Sequence, residues 1–311
     1  MSIGHTRFGT YLDKLGVLFT EAEKQADPGL WLYQNNARTV FFMLEGLARL
    51  YSGLTDYKGF EKIEKHAKQV EDALGSVDYY DGFAKEFGSE KGSLAKFAEF
   101  AHRRANEKTA DLNQLLIDKK WAGPKAKRIG KIKKRLKKAP WPDEKDEIKS
   151  IESFYRDSIK KIDKFAGNYE GGFTELESQV HELRRKLRWL SIYPQALQGA
   201  IQLTVSSPGD PILAKYLTPE IVNSPFNKMP DRGNNAYVLL LDQERFYALS
   251  WMIAELGKLK DKGLRRVVTN EADKRVTDGD AGDAQILEEA SAICRTYFDE
   301  QSLDKLIIGL G

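Results

Sequence analysis

The chain reads as an all-α protein of paired helical bundles, about four long helices each. Three observations predict this class. Apolar residues recur at spacings of three and four along nearly the whole length, and no run alternates convincingly in the manner of a strand. Breakers such as Asp27-Pro28-Gly29 and Asn168 to Gly172 fall where they leave bundle-length helices between them. With 311 residues, 41% hydrophobic and 31% charged, the chain can bury a core and still keep a solvated surface.

The elements follow in order. Asp13 to Glu23 and Trp31 to Tyr51 give the first two helices. Phe60 to Leu74 carries Phe60, Ile63, Ala67, Val70 and Leu74 on one face, and Gly75 offers a stop. A helix from Leu94 to about Ile117 sets Leu94, Phe97, Phe100 and Ala101 inward. Pro124 opens a basic helix that ends before Pro140 and is docked by Ile129, Ile132 and Leu136; Gly130 weakens it by about 1 kcal/mol. Asp146 to Phe165 is again helical. From about Thr174 to Ile192 the seam Leu176, Val180, Leu183, Leu187 and Leu190 is the cleanest in the chain, and Pro194 ends or kinks that helix. Ser206 to Asn235 holds five prolines and reads as loop, with a short helix at Pro211 to Tyr216. Helices at Asp242 to Lys260 and Asp283 to Asp299 follow, and the apolar tail Leu303 to Leu310 packs back on the body. Composition divides this single domain (1–310) into a first half at about 8–118, a basic connector at 119–149 and a second half at about 150–310.

Net charge is only +3, but it is unevenly spread. Eleven basic residues and no acidic one lie between Lys119 and Pro142; without them 38 basic residues stand against 46 acidic, a net charge of −8. Concentrated positive charge attracts polyanions far better than the average suggests. The longest apolar runs, such as Tyr237 to Leu241, are far too short to span a membrane. No secretory leader is visible at Met1 to Leu15, and Cys294 is the one cysteine, so a cytoplasmic setting is expected by default.

Two segments carry chemistry. In Gln179 to Trp189, residues His181, Arg184, Arg185 and Arg188 share a helical face, with Lys186 beside them, roughly 100° around from the leucine seam. Arginine forks suit phosphate oxygens, and like charges at this spacing repel unless an anion compensates them. The plainer account is a solvated shoulder satisfied by Glu175, Glu177 and Glu182. In the basic run, Lys127, Lys131, Lys134 and Lys138 line the side opposite Ile129, Ile132 and Leu136; a charged connector would look the same. Trp121 and Trp141 bracket the run, as base-stacking platforms or as packing anchors.

His181-Glu-Leu-Arg184, followed by spaced basic residues and Trp189, resembles the signature of the CHAD family, the conserved-histidine α-helical domain. The element Arg185-Lys-Leu-Arg-Trp189 comes earlier than its counterpart in that family. In the first half Asn35-Asn-Ala-Arg38 is similar to the same signature, with Asn35 at the histidine and Phe42 where Arg188 would stand. Ala73-Leu-Gly-Ser-Val-Asp78-Tyr-Tyr-Asp81 is similar to the family's Leu-Gly turn and paired aspartates, without its arginine. The resemblance, that of a divergent member, implies duplicated bundles and an arginine- and lysine-lined cleft that binds inorganic polyphosphate without catalysis. The triphosphate-processing barrel often joined to such domains has no counterpart here.

Catalytic and metal readings fare poorly. Glu99-Phe-Ala-His102 is a single Glu-x-x-His where a di-iron bundle needs two, His66 reads as a shoulder residue, and there is neither a phosphate-binding Gly-rich loop nor a nucleophile elbow. The expectation is therefore a non-enzymatic, cofactor-free binder of inorganic polyphosphate or a similar polyanion. Arg184, Arg185 and Arg188, with His181 and Lys186, form one wall; Arg38, Arg49, Arg103 and Arg104 come from the first half, and Lys127, Lys131, Lys134 and Lys138 extend the track. An unperturbed histidine there would tighten binding as pH falls through about 6.5. Single-stranded nucleic-acid binding through residues 119–138 is the alternative; a polyphosphate hydrolase or kinase, and a scaffold at a storage granule, also stay open.

Overall fold

The described residues contain eleven α-helices and one three-stranded sheet, and with 74% helix the all-α class stands. The computed structural model describes residues 2–89, 95–206, 209–272, 279–300 and 302–311; Leu94, expected on an inner helical face, lies outside them. The chain forms two compact units, one centred on Met1–Trp141 and the other on Pro142–Asn270 with the C-terminal part of the chain. The border thus falls at 141/142, and the basic helix belongs to the first unit, where composition alone set a connector at 119–149.

The first unit is built from α1 (Ile3–Ala22), α2 (Pro28–Gln34), α3 (Ala37–Leu54), α4 (Gly59–Ser89), α5 (Ala95–Asp118) and α6 (Arg128–Leu136). Asp27 caps α2 by accepting from the Leu30 N–H at 2.9 Å. The helix expected from Trp31 to Tyr51 is two helices, because Asn36 adopts a left-handed φ of 56° and the Asn35 amide turns back to the Trp31 carbonyl at 2.8 Å. Gly75 does not stop its helix: α4 runs on to Ser89, and the glycine instead leaves room for Arg38, whose Nη2 would stand 2.8 Å from an added Cβ. Two aromatic clusters hold the core, Phe8, Tyr51, Phe60 and Trp141 in one, Phe19, Phe41 and Trp121 in the other.

The second unit holds α7 (Glu144–Gly167), a π-helical segment at Leu176–His181, α8 (Glu182–Ala196), α9 (Pro219–Val222), α10 (Gln243–Ala272) and α11 (Gly279–Glu300). Three strands, unexpected from the sequence, join them: β1 (Ile201–Thr204), β2 (Leu239–Asp242) and β3 (Ile307–Leu310). β2 lies centrally, parallel to β1 from Ile201↔Leu239 and antiparallel to β3 from Leu239↔Leu310. The tail packs back as expected, but as a strand. Asp242 ends β2 and caps α10 through the Arg245 N–H at 2.9 Å.

Pro194 lies inside α8 without ending it. Its missing N–H would have bonded the Leu190 carbonyl, and the buried Tyr155 hydroxyl donates to that oxygen at 2.9 Å instead. No helix among the described residues is long and apolar enough to cross a membrane.

Candidate anion-binding faces

In the first unit the site grows from the loop that launches α6. Lys120 takes φ of 64°, and its carbonyl accepts the N–H groups of both Lys127 and Arg128 at 3.0 Å. The helix is docked by buried Ile132 and Leu136, while its end is tied by Tyr57 Oη donating to the Arg135 carbonyl and Trp141 Nε1 to the Leu136 carbonyl, each at 3.0 Å. Lys133 pairs with Asp13 at 2.7 Å.

Lys127, Lys131, Lys134 and Lys138 are exposed and have no carboxylate partner among the described residues. Lys127, at the N-cap of α6, and Lys138, just past its end, flank the helix; it begins later than Pro124. The Lys131 amine is held below the usual lysine range by Lys127 first, then by slight desolvation and by Lys120, Arg128 and Arg135. Positive charge also crowds the start of α6, where the helix dipole disfavours it and no acidic residue offsets it.

The expected arginines of this unit each have a contact within the fold. Arg38 donates to Glu71 at 2.9 Å and to Asp78 at 2.7 Å. Arg49 pairs with Glu64 at 3.2 Å, Arg104 with Glu107 at 2.6 Å, and Arg103 lies over the Phe100 ring at 5.5 Å. Tyr33 donates to Asp81 at 2.6 Å, so the Asp78 and Asp81 pair serves as an acceptor within the fold. Trp121 is 3% exposed and stacked on Phe19, and Trp141 is ringed by Phe8, Tyr51 and Phe60; both are packing anchors.

In the second unit, His181 closes the π-helical segment and α8 carries the row. Glu182 takes both Arg185 and Lys186, the latter at 3.0 Å, and Lys186 also lies 5.1 Å from the Phe165 ring centre. His181 Nδ1 meets Glu177 at 2.8 Å. Arg184 is half-buried, donating to the Ile253 carbonyl at 3.1 Å and lying against Gly257, where an added Cβ would be 3.0 Å from Nη2. Arg188 is exposed.

Lys260 of α10 joins this group, a residue the sequence reading missed. Burial lowers its pKa first and Arg184 next, with Asp261 and Glu177 opposing. Burial likewise lowers Arg184, with Asp261 opposing. His181 is lowered by burial, which outweighs Glu177, and further by Lys260 and Arg184. Any proton-linked tightening at His181 therefore falls below pH 6.5, not at it. Gly257 and Lys260, three apart, share a helix face, but no spacing in the sequence ties that face to α8.

Cys294 is buried, its thiol pushed up to about 12 by desolvation, which makes it a poor nucleophile. Among the described residues no group of three or more His, Cys, Asp or Glu side chains is placed to hold a metal ion. Comparison with known family models, curated proteins and solved structures finds no match. The resemblance to the CHAD family rests on the quoted residues alone.

Proposed function

We propose that this protein binds a linear phosphate polyanion, inorganic polyphosphate foremost, and that the lysine face of α6 is its principal contact. The observation that carries the reading is a row of four exposed lysines whose charge no carboxylate offsets among the described residues. Such a row is repulsive in isolation, and an anionic chain relieves the repulsion while releasing its own condensed counterions. On α8, exposed Arg188 and Arg185, the latter paired with Glu182, are secondary contacts in this reading; Arg184, tied to the Ile253 carbonyl, adds field and not a contact. The protein acts as a binder and not as a phosphoryl-transfer enzyme.

Retention on immobilised long-chain polyphosphate, titrated at two salt concentrations, tests this. Binding should fall steeply with salt, and replacing Lys127, Lys131, Lys134 and Lys138 by Gln should remove most of it. Unchanged retention would reject the α6 face. Stacking by Trp121 and Trp141 is denied to a nucleic acid by their packing, so a short single-stranded oligonucleotide should compete weakly. Ready displacement by that oligonucleotide would favour nucleic acid as the ligand.

A further inference from the structure

We infer that the first unit also carries a clip for a single phosphoryl group, gripped by Arg128 and Arg135 of α6 and oriented by His66 of α4. The inference rests on the polyanion reading for its class of ligand, and on separate residues for its geometry.

The Arg128 guanidinium is fixed on two sides. Its Nε donates to the Lys119 carbonyl at 2.8 Å, and its Nη1 lies 2.9 Å from His66 Nε2. A guanidinium only donates, so His66 Nε2 must accept and the imidazole is neutral, with its proton on Nδ1. Its electrostatics agree: burial first, then Arg128, Arg135, Lys119 and Lys65, push the imidazole down to about 4. That Nδ1–H is buried without a hydrogen-bond partner, as is Nη1 of Arg135.

The charge balance is the stronger argument. Arg128 and Arg135 are both half-buried, near enough that Arg135 lowers the pKa of Arg128 after burial itself. The charged groups named around them are Lys65, Lys119, Lys120, Lys127 and Lys131, all of one sign. Neither arginine has a carboxylate partner among the described residues. Partly buried cations are commonly paired, and Arg49, facing Glu64, shows that arrangement in the same unit. A bound anion supplies the missing countercharge.

The donors select its chemistry. The two guanidinium groups offer donors and no acceptor, so the ligand need bring no proton, and His66 acts by holding Arg128 through Nε2. A tetrahedral phosphoryl group can accept from forks in two planes, whereas a planar carboxylate matches one. The end group of a polyphosphate, or pyrophosphate alone, has that chemistry.

The test uses the full chain and inorganic pyrophosphate at low salt, followed by calorimetry and by the imidazole NMR signals, with His66 assigned through His66→Gln. His66 should shift saturably and its pKa should rise from about 4 as the anion offsets the surrounding positive charge. Arg135→Gln should weaken pyrophosphate about tenfold or more, and Arg135→Lys should restore part of it. The Arg135 guanidinium makes no hydrogen bond among the described residues, so neither change threatens folding; Tm should be unchanged. A His66 signal indifferent to pyrophosphate, or pyrophosphate affinity untouched by Arg135→Gln, overturns the clip. A chain that retains long polyphosphate without a His66 response keeps the lysine track and loses the clip. One that answers pyrophosphate but does not retain long chains keeps the clip and loses the track.

Discussion

α6 and α8 carry similar cationic rows to opposite ends. On α8, Arg185 and Lys186 share Glu182, His181 leans on Glu177, and Arg184 donates to a backbone carbonyl of α10. Along α6 and at its two ends, four lysines face solvent without a carboxylate partner among the described residues, and Lys131 has like charges around it. Spacing puts charge on a face; the surrounding acids decide whether that charge is available to a ligand. The α8 row is largely spent on the fold, and the α6 row is not.

The largest effect separates the two rows by binding. Replacing Lys127, Lys131, Lys134 and Lys138 by Gln should weaken polyphosphate about a hundredfold and flatten the slope of log K against log salt by about 3. Arg185→Gln with Arg188→Gln should cost a few-fold at most, by the same titration. If the arginine pair proves the more damaging, the ranking of the two faces is reversed.

A second effect tests whether first-unit arginines are committed to carboxylates. Glu45 is 2% exposed, and burial lifts its carboxyl to about 7 while Lys68 and Arg49 pull the other way. The folded state then holds this proton more tightly than the unfolded one. Stability from Glu45 is fully present below about pH 4.5 and is lost as pH rises through about 7. Between pH 4 and pH 8 the loss should be about 2–3 kcal/mol, and Glu45→Gln should abolish it in urea unfolding. Arg49→Gln should raise the Glu45 pKa further and steepen the loss, with little change in polyphosphate binding. A large binding defect would return Arg49 to the site.

Stability distinguishes the rows next. Arg184→Ala removes a half-buried guanidinium and leaves the Ile253 carbonyl without that donor, so Tm should fall with a loss of about 2 kcal/mol. Lys131→Gln should leave Tm unchanged or raise it, since it removes a charge repelled by its neighbours. A destabilised Lys131→Gln variant would mean that this lysine also serves the fold.

Much of this was legible, and what was hidden shares one cause. Helical class, the amphipathic docking of α6 by Ile132 and Leu136, and the carboxylates Glu177 and Glu182 beside their partners all follow from spacings of three and four. The strands did not, because Ile201, Leu239 and Leu310 are brought together over long sequence distances and a four-residue apolar run has no readable period. Arg38 on Gly75, Arg184 on Gly257 and Arg128 on His66 are likewise pairings across helices. Sequence spacing shows neighbours on one helix and is blind to the helix opposite.

The smallest effect concerns the feature the two units share, an arginine lying against the glycine of a Leu-Gly pair: Arg38 on Gly75 beside Leu74, and Arg184 on Gly257 beside Leu256. A glycine inside a helix normally yields about 1 kcal/mol when replaced by alanine. At Gly75 an added Cβ would stand 2.8 Å from Arg38 Nη2, and Glu71 and Asp78 hold that side chain in place. Gly75→Ala should therefore gain nothing in the native chain, yet stabilise an Arg38→Ala background by about 1 kcal/mol, read as the coupling in a double-mutant unfolding cycle. Equal effects in both backgrounds would show that Gly75 is not there to admit Arg38, and the parallel with Arg184 and Gly257 would lose its physical basis.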